Sequence, residues 1–193
     1  MIQIRQTDVY SHWFNELLDR QARARINARI RRLSLGNPGD VKPVGEGVSE
    51  LRIDYGPGYR VYFVQRGQTL VVLLAGGDKH TQDSAGTRAR TIGETVMAKT
   101  QTRPWDAAEH LETEEDMAAY LEAALEEGDP ALVAAALGDI ARAKGMAQIA
   151  RETGLGRESL YKALSPEGNP EFGTVLKVIR ALGLRLHATT AHT

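Results

Sequence analysis

The chain has 193 residues, room for two small domains of roughly 90 residues each, and its 42% apolar content is enough to fill their cores. It contains no cysteine, which excludes a disulfide framework, a thiol nucleophile and any cysteine-based metal site. The net charge of −1 conceals a basic–acidic–basic layout: residues 1–90 hold 14 Lys/Arg against 9 Asp/Glu, residues 104–139 hold 11 Asp/Glu and no Lys or Arg, and residues 140–193 hold 8 against 4. An acidic middle of this size can neutralise one basic surface and leave the other for an anionic partner.

The chain opens without an apolar leader segment, and its longest apolar run, Leu70 to Ala75, is far shorter than the ~20 residues of a membrane span. A cytoplasmic protein is expected. Ile2 to Gln6 alternates like a short strand. Thr7 or Asp8 then caps a helix with Trp13, Phe14, Leu17 and Leu18 along one face. A second helix, about Arg20 to Leu35, turns Ile26, Ile30 and Leu33 inward and a row of arginines outward, and it stops at Gly36-Asn37-Pro38. From Gly47 the period changes to two. Val48–Asp54, Tyr59–Arg66 and Thr69–Ala75 read as a three-stranded meander. This order predicts an α+β domain with two helices on a small antiparallel sheet.

Residues 84–103 have little periodicity and read as a linker of 20 residues, able as flexible coil to reach roughly 25 Å. Beyond Pro104 the chain is expected to be helical almost throughout, ending in an all-α helix-turn-helix domain. Thr113 and Asp116 open one helix, and Asp129-Pro130 separates it from the next.

The most specific local pattern lies between Gly145 and Leu164, where Ala150, Gly154 and Leu160 have the spacing of a helix-turn-helix. A small residue is needed where the helices cross and a glycine where the turn requires positive φ. Ile149, Leu155 and Leu164 complete the packing, leaving Arg157, Glu158, Ser159, Tyr161 and Lys162 exposed to contact DNA bases and phosphates. Leu184 to Ala188 alternates like an edge strand that could pair two copies into a homodimer across a palindromic site. The alternative is an ordinary helical hairpin with a solvated charged face.

In the basic half, Arg52, Arg60 and Lys79 are candidates for phosphate contact and catalysis; cofactors and metals are not expected. His12 and His80 are isolated. Acid–base cleavage of RNA can run on Arg, Lys, Tyr and His alone, by orienting a 2′-hydroxyl and stabilising a developing oxyanion.

The runs Gly36-Asn37-Pro38-Gly39-Asp40-Val41-Lys42-Pro43-Val44-Gly45, Glu50-Leu51-Arg52-Ile53, Gly58-Tyr59-Arg60-Val61-Tyr62-Phe63 and Gly76-Gly77-Asp78-Lys79 resemble the RelE/ParE toxin superfamily, in its HigB-like, phage-derived addiction module killer branch. The likeness covers about residues 1–83. The second half is similar to the HigA-like antidote proteins, carried by Arg103-Pro104-Trp105-Asp106, by Tyr120 to Asp129 and by Ser159 to Pro170. The resemblance implies a metal-independent mRNA interferase acting on the ribosome, or, as in ParE-like relatives, a gyrase poison, with Arg60 on the scissile phosphate. The family's closing helix is expected to be missing, replaced by Ser84-Ala85-Gly86-Thr87, and Met97-Ala98-Lys99 resembles the natural start of an antidote.

Four segments are therefore expected: a toxin domain (1–83), a linker (84–103), an acidic helical neutralising segment (104–139) and an Xre/Cro-like helix-turn-helix domain (140–193). Trp105, Tyr120, Leu121 and Leu125 are the expected apolar anchors on the toxin. Operator DNA, a toxin–antidote contact within or between chains, and ribosome-bound mRNA are the expected partners. Two other readings remain open at this level: an active ribonuclease with an accessory nucleic-acid module, and a transcription regulator with an inactive N-terminal domain.

Overall fold

Strand β1 (Gln3–Thr7) leads directly into helix α1 (Asp8–Glu16), because the Thr7 side chain accepts from the Tyr10 amide and serves as its N-cap. In the computed structural model, which describes residues 1–96, 101–188 and 190, the chain divides into two units, Met1–Ala107 and Ala108–Thr193. The Met97-Ala98-Lys99 segment lies outside the described residues.

In the first unit, α1 and α2 (Arg20–Ser34) are followed by β2 (Val41–Gly45), β3 (Val48–Ile53), β4 (Tyr59–Arg66), β5 (Leu70–Asp78), α3 (Gln82–Val96) and β6 (Thr102–Pro104). The six strands form one sheet in the order β2-β3-β4-β5-β1-β6. The expected meander β3-β4-β5 is antiparallel, but β1 joins β5 in parallel, so the sheet is mixed. The long connection through both helices permits a parallel neighbour, which a tight turn cannot. Trp13 of α1 lies against Gly76, where a Cβ would fall 2.0 Å from its ring. Helix α1 ends at Glu16, so the expected inward Leu18 lies past it and is 99% exposed.

The linker expected over 84–103 is instead the helix α3 and the strand β6. Helix α3 supplies the closing helix that was expected to be missing. Ala85, Gly86, Ala89 and Gly93 are buried along one side of it, and a Cβ on Gly93 would come within 3.1 Å of Val48 Cγ2. Its fully buried positions are small residues that let the helix backbone approach the sheet, and Ile92 and Val96 pack half-buried beside them. Ala85 and Ala89 pack with Val48, Tyr62, Val64, Val72, Leu74 and Ala75 in one hydrophobic cluster.

The second unit holds α4 (Glu114–Glu126), α5 (Pro130–Lys144), α6 (Met146–Thr153), α7 (Arg157–Ala163) and α8 (Phe172–Ala181). A capping box between Thr113 and Asp116 starts α4; Asp129 caps α5, with Pro130 in its first turn. The acidic segment and the helix-turn-helix, expected as separate domains, thus fold as one unit. Gly138 of α5 lies so close to the end of α7 that an added Cβ would sit 2.5 Å from the Leu164 carbonyl oxygen. Lys144 donates to Glu114 at 2.9 Å and to the Leu182 carbonyl at 2.8 Å, tying α4, α5 and α8 together. Leu184 to Ala188, expected as an edge strand, carries no regular secondary structure.

Candidate functional site

Pairing between β3 and β4 sets Arg52 opposite Arg60 and Glu50 opposite Tyr62, so all four side chains share one face of the sheet. Two arginines facing each other repel. Glu50, only 1% exposed, compensates: its Oε1 lies 2.9 Å from Arg52 Nε and 3.4 Å from Arg60 Nε. That hydrogen bond holds the Arg52 guanidinium above its ordinary pKa. Arg60 also donates from Nη1 to its neighbour's carbonyl, Tyr59 O, at 3.0 Å. The Tyr62 hydroxyl donates to the Gln82 carbonyl at the start of α3, 3.1 Å away. Burial, and then the charge of Glu50, push its pKa well above the ordinary tyrosine range.

Lys79 stands just beyond β5 on an exposed turn. Gly58, with φ +77°, brings it toward the same end of the sheet: a Cβ there would lie 3.5 Å from Arg60 Nη1 and 3.8 Å from Lys79 Cβ. The Asp78 carboxylate fixes this turn by accepting from the His80 and Thr81 amides, both at 2.9 Å. Burial alone would raise the Asp78 pKa, but those hydrogen bonds outweigh it and the net shift is downward. A cavity of about 260 Å³ opens beside the cluster, lined by Glu50, Tyr62, Gln82, Asp83 and Arg90 among others. A larger cleft of about 670 Å³ lies between α1, α3 and the end of β5.

The structure thus brings Arg52 and Arg60 together and places Lys79 at the same end of the sheet. Sequence reasoning gave no role to Glu50 or Tyr62. The signal was present, since Glu50 precedes Arg52 by two residues and must share its face in a strand. The arginine row of α2 is half-buried rather than free: Arg23 stacks over Phe14 at 5.2 Å, Arg25 over Tyr55 at 4.8 Å, and Arg29 donates to the Pro38 carbonyl at 3.2 Å. These side chains brace the domain.

In the second unit, α6 and α7 meet as the spacing requires. Gly154 has φ +69° at the turn, and Ile149, Ala150, Leu160 and Leu164 are buried. Arg157, Glu158, Ser159, Tyr161 and Lys162 are all exposed, and the Arg157 guanidinium stacks over the Tyr161 ring at 5.9 Å.

The four expected neutralising anchors separate. Tyr120 and Leu121 are 0% and 4% exposed in the core of the second unit, and the Tyr120 hydroxyl donates to the buried Asp139 at 3.0 Å. They serve the second unit's own packing, since a tyrosine held this way has no surface to offer. Leu125 is 43% exposed on α4. Trp105 lies in the first unit, directly after β6, and is 9% exposed. Among the described residues, no group of three or more His, Asp or Glu is arranged to hold a metal ion, and no helix is long and apolar enough to cross a membrane.

Residues 12–97 match the family described as phage derived protein Gp49-like, and residues 101–190 match the family described as "probable addiction module antidote protein". Two proteins of Haemophilus influenzae, both described only as uncharacterized, are similar to this chain. One is 48% identical over 93 residues, 48% of this chain and 94% of the relative. The other is 54% identical over 85 residues, 44% of this chain and 88% of the relative. No solved structure is a significant match.

Proposed function

We propose that this chain, whose first half matches the Gp49-like family and whose second half matches the addiction module antidote family, joins a toxin-like and an antidote-like half as a self-neutralised type II toxin–antitoxin protein. The observation that carries this reading is that both families match one chain in tandem, over 12–97 and 101–190. In the proposal, the first half is a HigB-like mRNA interferase. Arg60 stabilises charge on the scissile phosphate, with Arg52 beside it and Lys79 at the rim. Glu50 and Tyr62 position those cations: the carboxylate fixes both guanidinium groups at the sheet surface, and the phenol, anchored to α3, stays protonated.

The HigA-like half acts as repressor of its own operator. Helix α7 supports this reading, because it presents Arg157, Ser159, Tyr161 and Lys162 to solvent on a helix held by a buried Leu160 and Leu164. Two copies acting on a palindromic operator would supply the second recognition helix.

Growth arrest on expressing residues 1–96, absent with the full chain and abolished by Arg60→Ala, is the expected result. Arrest by the full chain would favour the active ribonuclease reading, and no arrest from either form would leave a transcription regulator.

A further inference from the structure

The boundary between the two family matches and the boundary between the two units do not coincide. Residues 101–107 match the antidote family yet fold into the first unit. Within them, β6 pairs antiparallel with β1, setting Thr102 against Thr7, Arg103 against Gln6 and Pro104 against Arg5. The Trp105 amide extends the ladder by donating to the Ile4 carbonyl at 3.0 Å. Positions 103 and 105 therefore point their amides at β1, and position 104 points away from it. Pro104, which has no amide hydrogen, occupies a place in this short strand where its absence breaks no ladder bond.

Strand β1 also carries side chains that fit this occupant. Arg5 donates from Nε to Thr102 Oγ1 at 2.7 Å and from Nη2 to the Thr102 carbonyl. Gln6, fully buried, donates from Nε2 to the Pro104 carbonyl at 3.3 Å while its Oε1 accepts from Ser11 Oγ at 3.1 Å. Without β6, the Gln6 amide and the Arg5 guanidinium lose these acceptors and must exchange them for water. Trp105 and Ala107, 9% and 1% exposed, bury the apolar end of the segment.

We propose that the β1 edge is a docking site for the leading strand of the antidote half, Thr102–Ala107. Strand addition there, rather than the peptide connection, is what holds the antidote half to the toxin half. The connection of five residues between Val96 and Thr102 raises the local concentration of the strand and favours pairing within one chain. The names of the halves rest on the toxin–antidote reading; the contact does not.

The test uses the full chain with a protease recognition sequence inserted between Ala98 and Lys99, cleaved after purification and passed over a sizing column. The two fragments are expected to co-elute. Trp105→Ala should weaken their association by at least ~30-fold, the loss typical of a buried aromatic anchor. Arg103→Pro, which removes a ladder donor, and Thr102→Val, which removes the hydroxyl acceptor of Arg5 Nε, should each release the fragments more readily. Circular dichroism of the uncleaved variants checks that they fold. Separation of the wild-type fragments on cleavage overturns the proposal, as does unchanged co-elution in all three variants. Failure of the toxin–antidote reading would appear in the growth assay and leave the co-elution result untouched.

Discussion

Replacing Gly138 by alanine sets two effects of known size against each other. In the middle of α5, alanine should gain up to about 1 kcal/mol over glycine from helix propensity alone. The added Cβ, however, would lie 2.5 Å from the Leu164 carbonyl oxygen and 3.5 Å from Leu164 C and Cβ. The nearest atom is backbone at the end of α7, so it cannot rotate away. Contact distance is restored only by moving α7, and overpacking of this kind costs about 1–3 kcal/mol. The clash outweighs the propensity, and Gly138→Ala should lose about 1–2 kcal/mol net. Gly173→Ala is the matched control: Gly173 lies in α8, where an added Cβ would meet nothing within 4 Å, and the change should be neutral or gain about 0.5 kcal/mol. Amide hydrogen exchange in the full chain, read on the α5 amides, reports the second unit separately from the first. Because the displaced helix carries Arg157 and Lys162, operator affinity should fall in Gly138→Ala even under conditions where the unit stays folded. A variant as stable as wild type, with slowed exchange in α5, would refute the close approach of α5 to Leu164.

Tyr120→Phe should cost about 1–3 kcal/mol in the same exchange measurement, because the buried Asp139 loses a hydroxyl donor at 3.0 Å. Arg157→Ala should weaken operator binding by about 1–3 kcal/mol in a gel-shift titration, with the loss concentrated at one base pair if this arginine reads a base. Tyr10, Tyr59 and Tyr62 all have raised pKa values, with burial the largest cause in each. Their contribution to stability is therefore fully present below the unfolded tyrosine value near 10, and it is lost as pH rises through the higher folded values. The phenolate absorbance of Tyr10, Tyr59 and Tyr62 should appear above the ordinary tyrosine range, together with the opening of the fold.

The strands β3, β4 and β5 were legible because their alternation is set by two-sided burial, and the helix-turn-helix because its turn needs a glycine at one fixed place. Arg52 and Arg60 could be placed on one face by parity alone. Helix α3 was not legible, since its fully buried positions, Ala85, Gly86, Ala89 and Gly93, are all small and resemble a linker in composition, and only Ile92 and Val96 add larger apolar groups near its end. Glu50 was overlooked because a lone carboxylate in a strand ordinarily marks solvent; only the cross-strand register brings both guanidinium groups to it. Tyr120 and Leu121 show the opposite difficulty. Their apolar character is evident in the sequence, but whether it serves the unit's own core or a partner depends on how α4 and α5 pack.

The pairing of β6 with β1 joins residues almost a hundred positions apart, Gln6 with Arg103, and this fixes an order of events during synthesis. A ribosome releases α3 before β6, and the eleven residues from 97 to 107 take roughly 0.5–2 s to make at ordinary elongation rates. For that interval the sheet has an open edge, a ready template for another chain. In a fused protein the strand that closes it always arrives next, in equal number and already tethered. Two separately translated partners would have to meet by diffusion.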